Sequence, residues 1–198
     1  MRRKSVTSTQ DVARALPIGS IVVADHQTAG RGRLDRRWES PAGTALLVSF
    51  VLPPNPMLSL AAGVAAAEAC GFGIVRLKWP NDLLLGGGKV GGVLVEATPT
   101  KAICGIGINL TWAPKGAARL NQDRDQLLEK LRIELERWTS AAPDDVLARW
   151  RELSDTLGRR VRVELSGTAI EGIAEEIGSQ GELIVDGRPV TFGTVIHL

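Results

Sequence analysis

The apolar residues of this 198-residue chain change their spacing from one stretch to the next, and each spacing predicts a different element. Ile21 to Ala24 and Ala45 to Leu52 are short, strongly apolar runs, which predict strands. The glycine- and arginine-bearing stretch between them reads as a loop. Small apolar residues then recur at Leu58, Leu60, Ala61, Val64, Ala65 and Ala69 up to Gly71, predicting a buried helix with Asn55 as its cap. Ile74 to Lys78 predicts a strand, and Leu83 to Leu85 with Val90 to Glu96 a pair joined tightly by Gly86-Gly87-Gly88. Lys101 to Leu110 predicts one strand more.

Between Trp112 and Asn121 the pattern lapses, after which Leu127, Leu128, Leu131, Leu135 and Trp138 recur at helical spacing. A second helix, capped near Asp144, carries Val146, Leu147, Trp150 and Leu153. From Gly158 onward, short alternating strands are expected at Val161–Leu165, Ala169–Ile177, Glu182–Val185, Val190–Phe192 and Thr194–Leu198, parted by glycine turns. The expected organisation is α+β over residues 1–155, followed by a small β-barrel over residues 158–198.

Composition agrees with a folded domain: 44% hydrophobic and 23% charged residues are ordinary for a globular chain and unlike a disordered one. The 24 basic residues nearly balance the 22 acidic ones, so the net charge of +2 gives no global field for nucleic acid, and positive charge is local. The apolar stretches Ala45 to Leu52 and Leu58 to Cys70 fall short of the roughly 20 residues a spanning helix needs, so no membrane segment is expected. Arg2, Arg3 and Lys4 precede a polar run and not an apolar core, which is unlike a signal peptide. Cys70 and Cys104 lack CxxC spacing and read as reduced, buried thiols, which fits a cytoplasmic protein.

Chemistry concentrates in two segments. Gln27-Thr28-Ala29-Gly30-Arg31-Gly32-Arg33-Leu34-Asp35-Arg36-Arg37-Trp38 combines glycines that let backbone approach a ligand with four arginines suited to oxyanions. Lys78-Trp79-Pro80-Asn81-Asp82 ends a predicted strand in polar groups, and Lys89 follows the triple glycine. Together they predict a cationic cradle for a nucleotide, an acyl phosphate, or both. Alone, the Gly-Arg steps also suit a solvated loop, Trp38 suits core packing, and Asn81-Asp82 suits an ordinary turn. The hydroxyls of Ser8-Thr9 suit a helix cap. Gly88-Lys89 lacks the remaining residues of a P-loop, Gly105-Ile106-Gly107 lacks the third glycine of a dinucleotide fingerprint, and His26 and His197 are too isolated for a metal cluster or triad.

The same residues resemble the biotin protein ligases. The resemblance rests on Gln27 to Arg33 with Arg36, Trp38, Ser40, Pro41 and Gly43; on Lys78 to Asp82, Lys89, Gly92 and Glu96; and on Gly105-Ile106-Gly107-Ile108-Asn109. It spans nearly the whole chain. It implies a mixed sheet with helices, similar to class II aminoacyl-tRNA synthetases, and an SH3-like C-terminal barrel. It also implies a reaction in which biotin and ATP give biotinyl-adenylate, with Mg2+, before a lysine of a biotin carboxyl carrier domain takes the biotinyl group. Homodimers are frequent in that family.

By matching position, the resemblance implies catalytic roles for Arg33, Lys89, Arg36 and Asp82. Ser8, Thr9, Gln10, Gln27, Gly30, Arg31, Gly32, Arg33, Trp38, Lys89, Gly91 and Gly92 are implied around biotin, and Arg33, Arg36, Trp38, Asn81, Lys89 and Asn109 near the nucleotide. No protein-held metal site is implied. Two departures stand out: Gln10 replaces the usual asparagine after Ser-Thr, and Asp35 puts a carboxylate inside the cationic loop. The chain begins only a few residues before Ser8, so the upstream segment is expected to be short. A lipoate-type acyl ligase, a biotin-responsive repressor and a non-catalytic binding module that uses the terminal barrel are the alternatives. The repressor would need an N-terminal helix-turn-helix, for which the seven residues before Ser8 leave no room, so no DNA binding is expected.

Overall fold

The computed structural model describes residues 1–71, 73–165 and 167–198. Strand β1 (Arg2–Val6) leads into helix α1 (Thr9–Arg14), then strand β2 (Ile21–Gln27), a short ribbon of β3 (Gly30–Arg31) and β4 (Arg37–Trp38), and β5 (Ala45–Leu52). Helix α2 (Leu58–Cys70) precedes β6 (Val75–Lys78), β7 (Asp82–Leu85), β8 (Gly88–Ala97) and β9 (Ala102–Asn109). Helices α3 (Arg124–Thr139) and α4 (Pro143–Leu153) follow, and β10 (Arg160–Glu164), β11 (Ala169–Ile177), β12 (Leu183–Val185), β13 (Arg188–Val190) and β14 (Thr194–His197) end the chain.

Seven strands form a mixed sheet in the order β1-β2-β5-β9-β8-β7-β6, parallel only between β1 and β2. Its two faces are assigned by the period-two alternation of the strands. Leu46, Val48 and Phe50 of β5 and Cys104, Ile106 and Ile108 of β9 join the core under α2, whereas Val51 and Ile103 pack with Ala13 of α1 on the opposite face. Helix α2 is alanine-rich and buried along nearly its whole length, because it lies between the sheet and α3 and α4. Asn55 Oδ1 accepts from Met57 N–H just ahead of it, and Gly71 ends it.

Glu68 is the one charged group that α2 carries into this core. Its carboxylate accepts from Trp138 Nε1 at 2.9 Å, Arg149 Nε at 2.6 Å and Arg137 Nη1 at 3.3 Å, tying α2 to both outer helices. Burial without such partners would cost several kcal/mol.

Several elements differ from expectation: Met57 and not Asn55 is the cap residue of α2, and the strand expected at Val190–Phe192 lies at Arg188–Val190. Helix α4 starts from Ala142 with Pro143 in its first turn, so Asp144 lies inside the helix and not at its cap. Strand β1 was unforeseen because four of its five residues are exposed; it is held by parallel pairing to β2 and by the Arg2–Asp125 ion pair. This short segment is what delivers the chain to Ser8.

The C-terminal strands form a five-stranded antiparallel sheet ordered β13-β12-β11-β10-β14. Among the described residues no pairing joins β13 to β14, so the sheet is open where a closed barrel was expected. It is fastened to the first part by Trp79 Nε1 donating to Gly181 O at 3.0 Å, Thr156 Oγ1 accepting from Trp79 N–H at 3.0 Å, and Arg151 Nη2 donating to Ile177 O at 2.7 Å. No helix is long and apolar enough to cross a membrane. Cys70 and Cys104 are free and buried, and burial pushes both thiols up to about 12.

Candidate functional site

A cavity of about 370 Å³ opens between the sheet, the Gly30–Trp38 ribbon and the C-terminal module. Its floor is made by an absence of side chains. On β9, Gly105 and Gly107 point toward the face that α2 leaves uncovered, and a Cβ at Gly105 would come 2.7 Å from Gln10 Nε2. A Cβ at Gly107 would come 2.8 Å from Trp38 Cε2. The two glycines thus let a glutamine and an indole lie directly on the sheet. This also accounts for Gln10 as a departure: over Gly105 the longer amide reaches Leu94 O at 2.7 Å.

One wall is polar and pre-set. Ser8 Oγ caps α1 by accepting from Gln10 N–H at 3.3 Å and also lines the cavity, so the hydroxyl serves the bland role without leaving the site. Thr9 donates through N–H (2.7 Å) and Oγ1 (3.0 Å) to Gln27 Oε1, and Ser49 Oγ donates to Thr9 Oγ1 at 2.8 Å. Gln10 Oε1 and Trp38 Nε1 are buried with no hydrogen-bond partner. Such orphans are rare in folded proteins, and both side chains belong to the cavity wall.

The opposite wall is cationic. Arg31, Arg33, Arg36, Arg37, Lys78 and Lys89 line the cavity against one carboxylate, Asp82, so the site suits an anion. A bulge in β8, opposite Leu83 and Leu84, re-aims Lys89 so that its Nζ sits 2.6 Å from Asp82 Oδ1 and beside Gly92. Burial lowers the basicity of Arg33, with Asp82 opposing. Burial likewise pulls Lys78 down; Lys89 and Arg36 add to that, while Asp82 and Asp155 resist. These cations are crowded and short of solvent, a state that a bound anion relieves.

The loop over the cavity is a strained turn. Arg36 N–H donates to Arg33 O at 3.2 Å and Gly32 N–H to Arg36 O at 2.7 Å, with Leu34 (φ 53) and Asp35 (φ 57) both left-handed. That is the conformation of a type I′ turn, and it costs a non-glycine residue about 1 kcal/mol or more per position. Asp35 is exposed and takes no ion pair among the described residues. Arg36 Nη2 reaches out to Thr194 Oγ1 at 3.1 Å. Gly30 is obligatory for packing, because a Cβ there would come 2.8 Å from Gln27 Nε2.

The structure gathers Ser8, Thr9, Gln10, Gln27, Arg31, Gly32, Arg33, Arg36, Trp38, Asn81, Asp82, Lys89 and Gly92 around this one cavity. Asn81 is partly committed, since its Nδ2 donates to Val93 O at 2.7 Å. Three residues lie off the wall, Gly30 among them, packed behind it against Gln27 and Trp38. Gly91 lets β8 close on Gly107 O, and buried Asn109 spends Nδ2 on Ala118 O at 3.0 Å, holding the 112–121 segment against the sheet. Sequence reasoning placed Lys78 in the cationic cradle without giving it a role of its own, and missed Gly193 to Ile196 from the C-terminal module. The glycines at alternating positions 105 and 107 were a legible signal of a bare sheet face; nothing local marked the C-terminal contribution.

Residues 2–111 match the family model described as the biotin/lipoate A/B protein ligase family. The chain is 36% identical over 212 aligned residues to the biotin--[acetyl-CoA-carboxylase] ligase of Mycobacterium tuberculosis, covering 91% of this chain and 79% of that protein. It is 33% identical to the bifunctional ligase/repressor of Escherichia coli, covering 86% of this chain but only 63% of that longer protein. The crystallised biotin protein ligase of Aquifex aeolicus, in complex with biotin and ATP, superposes with a TM-score of 0.86 at 28% identity, over 100% of this chain and 98% of that one.

Proposed function

The chain belongs to the biotin/lipoate A/B protein ligase family, and on that premise we propose that it activates biotin with ATP as biotinyl-5'-AMP and transfers the biotinyl group to a lysine of a biotin carboxyl carrier domain. The observation that carries this reading is one cavity with two unlike walls. Beside the wall of Ser8, Thr9, Gln10 and Gln27, with its orphaned Gln10 Oε1, lie Arg33, Arg36 and Lys89. A ureido ring needs directional donors and acceptors at one end of the ligand, and a carboxylate meeting a phosphate needs cations at the other.

In the first half-reaction the biotin carboxylate attacks the α-phosphorus of ATP and pyrophosphate leaves. Lys89 contacts both the carboxylate and the α-phosphate, reducing the repulsion between two anions, and leaves Asp82 to do so. Arg33 and Arg36 steady the phosphates from the loop, and Trp38 covers the ligand over Gly107. Asn81 meets the nucleotide, while Asn109 acts at one remove by holding the segment behind Lys89. In the second half-reaction the carrier's lysine amine attacks the activated carbonyl, AMP leaves, and Asp82 orients the amine. The loop closes over the adenylate and keeps water away from it.

When bound with the nucleotide, Mg2+ would supply charge neutralisation at the phosphates. The described residues hold no group of three or more acidic, histidine or cysteine ligands, and Asp82 is the single carboxylate on the cavity wall. That donor set suits a cation held mainly by the nucleotide's own phosphates, with Asp82 as its only protein partner. Residues 1–155 form the catalytic part in this reading, and residues 158–198 an SH3-like module that closes one side of the site. The two unpaired buried thiols suit a reducing cytoplasm.

A second reading, a lipoate-type ligase, would leave the Thr9–Gln27 wall without a matching ligand group. Purified protein incubated with Mg2+ and labelled ATP, with biotin or with lipoate, separates the two. Biotin-dependent pyrophosphate release and a biotinyl-adenylate seen by mass are expected. Adenylate with lipoate alone would transfer the assignment to the second reading.

A further inference from the structure

Arg31 lines the cavity, yet its guanidinium is claimed from outside it. Nη2 lies 2.9 Å from Asp11 Oδ1 and Nη1 3.4 Å from Glu96 Oε1, ion pairs by proximity in which Nη2 makes no aligned hydrogen bond. Arg14 closes the figure, with Nη2 2.7 Å from Glu96 Oε2 and Nη1 3.4 Å from Asp11 Oδ1. Four charges of alternating sign therefore form a ring joining α1, β3 and β8. An isolated exposed pair holds a side chain weakly, but here each group has two partners of opposite sign and none can leave without stranding both.

The position of this ring is informative. Arg31 is the last residue of β3, immediately before the Gly32 to Arg36 turn, and the turn itself makes no ion pair among the described residues. Among the described residues the side chains of the tip reach the rest of the chain through the single Arg36–Thr194 hydrogen bond, whereas its base is held by ion pairs on two sides. Helix α1, which supplies Asp11 and Arg14, also begins with Thr9, the residue that holds Gln27. The ring thus couples the loop's base to the polar wall of the cavity.

We propose that Asp11, Arg14 and Glu96 are positioning residues: their ring with Arg31 is the fixed foot on which the loop closes over the acyl-adenylate, and it keeps that loop in register with the Ser8–Gln10 wall. None of the three touches substrate. The ring sets how long the adenylate is retained and how well biotin is held, and leaves the chemical step alone. The adenylate part of this inference rests on the ligase reading; the mechanical part does not.

The test uses the full chain with Asp11→Asn and Glu96→Gln combined, and Asp11→Glu as the conservative control. Trypsin cleavage after Arg33, Arg36 and Arg37 in the ligand-free protein reports loop anchoring without reference to any substrate. Cleavage is expected to rise roughly tenfold in the double variant and to stay near wild type in Asp11→Glu, with the melting temperature little changed, since surface charges contribute little to global stability. With biotin and ATP, adenylate release and the KM for biotin should each rise roughly tenfold, about 1.4 kcal/mol, with kcat for adenylation at saturation within about twofold. Wild-type loop cleavage in the double variant would overturn the proposal. So would a lower melting temperature with cleavage spread along the chain, or a loss of kcat at unchanged KM and adenylate lifetime. Faster loop cleavage in a protein whose wild type forms no biotinyl-adenylate would keep the ring as the loop's foot and remove the ligase reading.

Discussion

The indole of Trp38 packs directly on Gly107, so closely that a Cβ on that glycine would lie 2.8 Å from Trp38 Cε2 and 3.0 Å from Cζ2. The glycine is there for space and not for backbone freedom, since its φ lies outside the left-handed region. Gly107→Ala should therefore leave the sheet intact while lifting Trp38 off the cavity floor. We expect biotin to bind about tenfold more weakly, roughly 1.4 kcal/mol. Titration calorimetry checks the affinity and near-ultraviolet circular dichroism the displaced indole; unchanged affinity with a displaced indole would remove Trp38 from the binding site.

Lys89 sits 2.6 Å from Asp82 and is aimed by the β8 bulge. Lys89→Ala should slow adenylation by about 3 kcal/mol or more, the scale of one electrostatic contact to a developing charge, which is at least a hundredfold in rate. Single-turnover pyrophosphate release measures it. Adenylation near the wild-type rate would reassign the α-phosphate contact to Arg33 or Lys78.

Glu68 tests the scaffold apart from the site. Its side chain is only 3% exposed and holds Trp138, Arg137 and Arg149 together. Glu68→Ala should destabilise the protein by about 3 kcal/mol, because it strands the Trp138 N–H and the inner face of Arg149. Urea unfolding gives the value, and a loss under 1 kcal/mol would show that the helices hold without this junction.

His197 couples the C-terminal strand to the pocket. Burial first, then Lys78 and Arg159, lower its basicity from the ordinary 6.5, with Asp155 opposing. The unfolded chain therefore takes up the proton before the folded one does, and stability should fall as pH drops below about 6.5 toward the lower folded value. Thermal melts between pH 7.5 and 5 should show this slope, and His197→Asn should flatten it. An unchanged slope would assign the acid sensitivity to other groups.

Much of this protein was written locally. The continuous apolar run of β5, the alternating glycines of β9, the alanine-rich stretch of α2 and the leucine spacing of α3 each carry their own signal, because burial on one face or two is written in an element's own residues. The Gly-Arg loop, Lys78 to Asp82 and Lys89 announced an anion site by residue type. Strand β1 went unread because an exposed edge strand has no apolar alternation to read, and its pairing with β2 lies about twenty residues away.

What the chain could not state locally was who meets whom. That Gln10 and Trp38 lie on Gly105 and Gly107, that Asn109 turns behind the wall, and that Thr194 to Ile196 close the cavity from the far end all follow from strand order and register. The sequence by itself determined the elements and the chemistry on offer, through propensity, spacing and charge. Only the tertiary structure decided which groups share one cavity and which are consumed in holding it, because those contacts join residues up to roughly 160 positions apart, as between Arg36 and Thr194, and no local pattern encodes them.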